Sequence, residues 1–95
     1  MTKSSNLLEI ISGCKAGDTA SFERLIDEYS DRCYGYFYRL TGDRDQSNDL
    51  LSELFLKLVT KICSYKGGSF ESWLFRIATN VFHDHLRQKH RHANF

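Results

Sequence analysis

Arg76, Asn80, His83, Arg87 and His90 follow one another at steps of three and four residues, the spacing that places side chains on one face of a helix. Two guanidinium groups, two imidazoles and one amide along a helix make a cationic ridge carrying a group that both donates and accepts hydrogen bonds. Cations grip phosphate oxygens whatever the sequence, whereas an amide can tell bases apart. The chemistry this suggests is holding and reading a nucleic-acid strand. Trp73 borders the ridge, and its type fits either core packing or an aromatic wall beside exposed bases. Asp84 lies three positions before Arg87 and seven before Arg91, where it can pair with either. The plain alternative for these cations is an ordinary solvated helix face.

Other chemistries find little support. His83 and His85 are two apart and point apart on a helix, as do His90 and His92, so no pair has metal-ligand spacing. Cys14, Cys33 and Cys63 are odd in number and sit in apolar helical patterns, which reads as buried free thiols in a reducing cytoplasm. Lys66-Gly67-Gly68 is too short to match a phosphate-cradling loop. The sequence predicts no catalytic residue, no metal and no cofactor, and hence a protein that is not an enzyme. Thr-Lys-Ser-Ser-Asn after Met1 is no signal peptide, and no apolar run is long enough to span a membrane, so the expected location is cytoplasmic.

The ridge needs a long helix to carry it, and Phe70 to Arg91 supplies one. Phe70, Leu74, Ile77, Ala78 and Val81 form a core-facing stripe, and Phe75, Phe82 and Leu86 a second, so this helix is wedged between neighbours. Ser69 is its cap. Before it, a first helix spans about Asn6 to Lys15, with Leu7, Leu8, Ile10, Ile11 and Cys14 apolar. Asp18 caps a second, carrying Phe22, Leu25, Ile26, Tyr29, Cys33, Tyr36, Phe37 and Leu40 on one side and stopping at Gly42. Asp43 or Asp45 caps a third, with Leu51, Leu54, Phe55, Leu58, Val59 and Ile62 buried, and a loop follows over Ser64 to Gly68. Seven Phe, five Tyr and one Trp in 95 residues, with no proline, argue for one packed domain. The expected fold is all-α, a compact bundle of three long helices plus a short N-terminal one, with a basic tail over 88–95 that frays.

The net charge of +1 conceals a division. Asp18, Glu23, Asp27, Glu28 and Asp31 crowd the second helix, Asp43, Asp45, Asp49 and Glu53 the third, while the last ten residues hold cations and no acid. Such polarity suits a molecule meeting nucleic acid at one end and protein elsewhere. On the third helix Asp49, Ser52, Glu53, Leu56 and Thr60 share an outward face, an acidic stripe with one Leu that fits a basic protein partner.

Three segments together resemble region 2 of bacterial RNA polymerase sigma factors, most closely the extracytoplasmic-function group. Phe22-Glu23-Arg24-Leu25 with Tyr29 is similar to that group's F-x-x-L-x-x-x-Y opening. DQSNDLLSELFLK, Asp45 to Lys57, resembles its D-A-E-D-L-x-Q-E-x-F-L-x helix. Trp73, Leu74, Ile77, Ala78, Asn80, Asp84 and Arg87 fall in register with its F-x-x-W-L-x-x-I-A-x-N-x-x-x-D-x-x-R segment. The likeness covers about Leu8 to Arg91, nearly the whole chain.

The resemblance implies a transcription initiation factor domain that binds core RNA polymerase and recognises and helps to melt the promoter minus-ten element. Its partners would be the clamp helices of the polymerase's largest subunit, the single-stranded non-template strand, and an anti-sigma factor. Asp49, Ser52, Glu53 and Leu56 are then the polymerase contacts. Phe55 also falls within the family's docking motif, but the apolar pattern assigns it to the buried stripe. A flipped base would be captured beside Ser64 to Phe70, with Asn80 reading it and Trp73 as its wall. Tyr65, Lys66, Ser69, Arg76, His83, Arg87, Lys89 and Arg91 complete the expected DNA-binding set. Two departures stand out. Ser47, Asn48 and Ser52 occupy places where the family usually has Ala, Glu and Gln, which weakens the charge of the docking face. The chain also stops at Phe95, whereas the family continues into a helix-turn-helix domain that reads the minus-thirty-five element, so the expectation is a piece of a longer factor, the alternative being a reduced factor without that contact. The competing readings are a sigma-derived module that binds polymerase or an anti-sigma factor without promoter recognition, and a general nucleic-acid binder that uses only its basic tail.

Overall fold

Two aspartates start the long central helices. The Asp18 carboxylate accepts the backbone N–H of Ser21 at 3.1 Å and opens α2, Thr19–Thr41. The Asp43 carboxylate accepts that of Gln46 at 3.0 Å and opens α3, Arg44–Lys61. Each satisfies one of the donors that a helix start leaves bare. Of the two residues the sequence offered, Asp43 is therefore the cap and Asp45 lies inside the helix. Between them Gly42 ends α2 in the left-handed region at φ 65°, its N–H bonded to the Tyr38 carbonyl.

The structure, a computed structural model, describes the backbone of residues 3–93 and the side chains of residues 6–91. The element order is α1 (Lys3–Lys15), α2, α3, a 3₁₀ turn (Ile62–Ser64) and α4 (Phe70–Ala93), with no strand among the described residues. The first helix starts three residues earlier than the Asn6 the sequence suggested. α4 stays helical to Ala93, through positions 88–93 assigned in the sequence to a frayed tail; residues 94 and 95 and the side chain of His92 lie outside the described residues.

The helices close around one core. Leu25, Tyr29, Cys33 and Phe37 of α2, Leu50, Leu54 and Leu58 of α3, and Phe70, Leu74, Ala78 and Val81 of α4 are buried, joined by Ile10, Ile11 and Cys14 of α1. α3 packs on both α2 and α4, while α1 lies across α2 and reaches the 3₁₀ turn. Gly13 permits that crossing: a Cβ there would stand 2.8 Å from the Ser21 Cβ.

Several side chains depart from the sequence expectation. Val59, assigned to the buried stripe, is 48 % exposed, because the true inward row is Leu50, Leu54, Leu58 and Ile62 at steps of four. Leu8, Leu40 and Leu86 are exposed as well. Cys14 and Cys33 are buried thiols, but Cys63 is exposed at the end of the α3 segment. Ser47 is fully buried: its hydroxyl donates to the Asp43 carbonyl at 2.6 Å and lies 3.0 Å from the Thr41 hydroxyl, locking the α2–α3 turn. It cannot dilute the charge of a docking face it does not reach.

Candidate nucleic-acid interface

α4 is held by its apolar arc, and that fixes which way its other face looks. Leu74, Ile77, Ala78 and Val81 point inward; Tyr36 of α2 packs edge-on against Phe75 and its hydroxyl lies 2.9 Å from that of Thr79. The remaining arc presents Arg76, Asn80, His83, Arg87, His90 and Arg91 to solvent. The side chains of Arg76, Asn80 and Arg91 form no hydrogen bond or ion pair with other described residues. Arg87 pairs with Asp84, the first of the two partners the spacing offered. That pair is well exposed, so water screens it and a phosphate can replace the carboxylate at small cost.

The loop before α4 is built from the inside. Tyr65 is only 6 % exposed; its hydroxyl donates to the Gly68 carbonyl at 2.5 Å, and Lys15 Nζ donates to the Tyr65 carbonyl at 2.6 Å. Its ring meets Phe70 at 5.4 Å and Trp73 at 5.3 Å, and Phe70 meets Tyr29 at 5.5 Å. These aromatics form a floor under Gly67 and Gly68, both at positive φ (113° and 81°), which lets the chain reverse tightly onto the Ser69 cap. The Ser69 hydroxyl accepts the Ser72 N–H at 3.2 Å.

Tyr65 therefore departs from its place in the expected DNA-binding set: its ring is a strut of the loop and is not presented to a ligand. Trp73 is half-buried, anchored on one side by Tyr65 and Phe70, so packing accounts for much of it while the rest borders the ridge. Lys66 and Ser69 are exposed on the loop. Lys89 is turned away. It lies nine residues after Asn80, half a helical turn round, where its Nζ donates to Gln46 Oε1 of α3 at 3.0 Å. His85 Nε2 shares that oxygen at 2.9 Å. Gln46 was missed in the sequence because a polar residue at a helix start carries no periodic signal.

On α3, Asp49, Ser52, Glu53, Leu56 and Thr60 are all exposed, as expected of one outward stripe, and Phe55 is half-buried against the core. Val59 joins them beside Leu56, itself 70 % exposed, giving the stripe a two-residue apolar centre. The cue for Val59 was its spacing of three from Leu56 and seven from Ser52. Asn48 is also exposed.

A separate cavity of about 620 Å³ opens between α1, α2 and the first turn of α4, lined by Leu7, Ile10, Arg24, Tyr29, Arg32 and Glu71 among others. Arg32 pairs with Glu71 at 2.5 Å within it. Glu71 lies nine residues before Asn80, so this cavity sits on the opposite side of α4 from the ridge. The described residues contain no cluster of three or more His, Cys, Asp or Glu able to hold a metal, and no helix among them is long and apolar enough to cross a membrane.

Residues 25–92 match the family described as Sigma-70 region 2. The chain is 37 % identical over 86 residues to the ECF RNA polymerase sigma factor BldN of Streptomyces coelicolor, covering 88 % of this chain and 33 % of that protein. It is 38 % identical over 78 residues to the ECF sigma factor SigE of Mycolicibacterium smegmatis, covering 79 % of this chain and 30 % of that protein. For the ECF sigma factor SigW of Bacillus subtilis the figures are 35 % over 80 residues, 83 % of this chain and 43 % of that protein. The chain thus spans about a third to two-fifths of the length of these relatives.

Proposed function

The chain belongs to the sigma-70 region 2 family, and from that premise we propose that it is the part of a transcription initiation factor that binds core RNA polymerase through α3 and holds the melted non-template strand of the promoter minus-ten element along α4. It works by binding alone, without catalysis. The observation that carries this reading is the solvent-facing row of Arg76, Asn80, Arg87 and Arg91, which falls within the family match and is unobstructed by the chain's own interior. The three arginines supply phosphate contacts. Asn80 is an unpartnered amide two turns along the same side of α4 from the half-buried Trp73, and an amide with an aromatic wall can accept a flipped base and discriminate it. Lys66 and Ser69 flank the same end. The outward stripe of Asp49, Ser52, Glu53 and Leu56, widened by Val59, supplies carboxylates around an apolar centre for a partner helix pair bearing cations. The polymerase and its DNA place the protein in the cytoplasm.

Fluorescence anisotropy on labelled single strands differing at one base, with and without core RNA polymerase, tests the assignment. The wild-type chain should prefer one base at one position. Asn80→Ala should erase that preference, worth about 1–3 kcal/mol, while Arg87→Ala should weaken all strands alike. Capture of polymerase with no base preference would instead identify a protein-interaction module. Equal binding to every strand, indifferent to polymerase and steeply salt-dependent, would identify a general nucleic-acid binder.

A further inference from the structure

Among the described side chains of α4, Val81 is the last that is fully buried, yet the helix continues to Ala93. Over that overhang Phe82 is only partly buried, and among the described residues the side-chain hydrogen bonds that reach another element converge on one atom, Gln46 Oε1. Its donors, His85 and Lys89, are four apart and so sit one above the other on the rear of α4. Gln46 is itself fixed. Its backbone N–H is bound by the Asp43 cap at 3.0 Å, a bond that, more than any other influence, holds the Asp43 carboxyl below the usual carboxylate range. An amide suits this place because its oxygen has two lone pairs and accepts from both side chains at once.

We propose that Gln46 is a positioning residue for the promoter-facing ridge: by tying His85 and Lys89 to the start of α3 it keeps the overhanging turns of α4 helical and docked, with Arg87 and Arg91 in line with Arg76 and Asn80. This deepens the function proposed above and rests on it. Lys89 then acts from behind the ridge and touches no phosphate. An isolated overhang of this length is marginal as a helix without such a tie.

Hydrogen exchange and strand binding of the 95-residue chain test the two halves separately. In Gln46→Ala the amides of residues 84–93 should exchange roughly tenfold faster while those of α2 and α3 keep their protection. Lys89→Met should speed the same amides, and adding it to Gln46→Ala should do little more, because both remove one clasp. Affinity for a fluorescein-labelled oligodeoxythymidine strand should fall several-fold in both variants, with the slope of log affinity against log salt unchanged. A slope reduced by about 0.7 in Lys89→Met would mark it as a phosphate contact and overturn the assignment. Unaltered exchange in Gln46→Ala would overturn the clasp itself. Wild-type chain that showed no salt-sensitive strand binding would overturn the nucleic-acid reading and the positioning role with it, while the exchange result still reports on the clasp.

Discussion

Burial pushes the Cys33 thiol from 9.0 up to about 11, only partly offset by the nearby Arg32 cation, and burial with Asp18 pushes Cys14 upward as well. A thiol held protonated is a poor nucleophile. Cys63 is exposed to reagent, its sulfur 3.8 Å from the Lys15 carbonyl. Iodoacetamide at about pH 8 should therefore label Cys63 alone in the native chain, and all three only in denaturant. Equal native labelling of Cys33, read by peptide mass spectrometry, would refute the packing described for it. The raised Cys33 value carries a sign for stability too: its contribution is complete below pH 9.0 and is lost as pH rises towards about 11. The alkaline loss in denaturant midpoint should shrink in Cys33→Ala. At this scale the sequence could be misread. Cys63, Tyr65 and Lys89 each have a type that fits more than one role, and only the contacts decide: the end of an apolar helix can face water, a loop tyrosine can be a strut, and an exposed lysine can reach across to a neighbouring helix.

Helices were far more legible than single side chains, because caps and stops are local chemistry. Asp18, Gly42 and Ser69 do what their types imply, and the inward rows of α2 and α4 follow their periodicity except at Leu40 and Leu86, which face water near the helix ends. α3 was read less well: Leu54, Leu58 and Ile62 are buried as expected, but Leu51 and Phe55 are only partly so and Val59 faces out. An apolar residue next to the inward row satisfies the pattern without being covered by a neighbour. What escapes a reading by periodicity is close approach between helices, and Gly13 is the instance. By helix propensity alone, Gly13→Ala should stabilise α1 by about 1 kcal/mol. The structure predicts the reverse, since the new Cβ would lie 2.0 Å from the Ser21 hydroxyl and 2.8 Å from its Cβ, and the second clash is not relieved by rotating the side chain. Forcing α1 off α2 should cost about 1–3 kcal/mol, lowering Tm by several degrees in a domain of this size. Ser21→Gly should restore much of the loss in Gly13→Ala. A melting temperature that rose in Gly13→Ala alone would show that α1 does not cross α2 at this point.

The molecule as a whole is longer than a compact chain of its size: its radius of gyration is 14.4 Å, against about 12 Å for a globule of 95 residues. The principal extents of 50 × 23 × 22 Å show a rod. α4, 24 residues and so roughly 36 Å, runs along much of it. A rod made of few helices exposes separate faces, and here the acidic stripe of α3 and the basic ridge of α4 belong to different helices. Two partners of opposite charge can then be engaged together, which the net charge of +1 would never suggest. If the faces are separate in energy as well as in space, a change in one should leave the other alone. Glu53 provides the cleanest trial, because it is exposed and its side chain forms no hydrogen bond or ion pair with any described residue. Reversing its charge in Glu53→Arg places a cation in the stripe proposed to dock a basic partner, at a repulsive cost of several kcal/mol. Polymerase pull-down should be lost, Tm should stay within about one degree because a surface substitution of this kind is usually neutral, and strand affinity should hold or rise slightly. A fall of several degrees would make Glu53 part of the scaffold, and loss of strand binding at unchanged Tm would mean that the two faces form one surface.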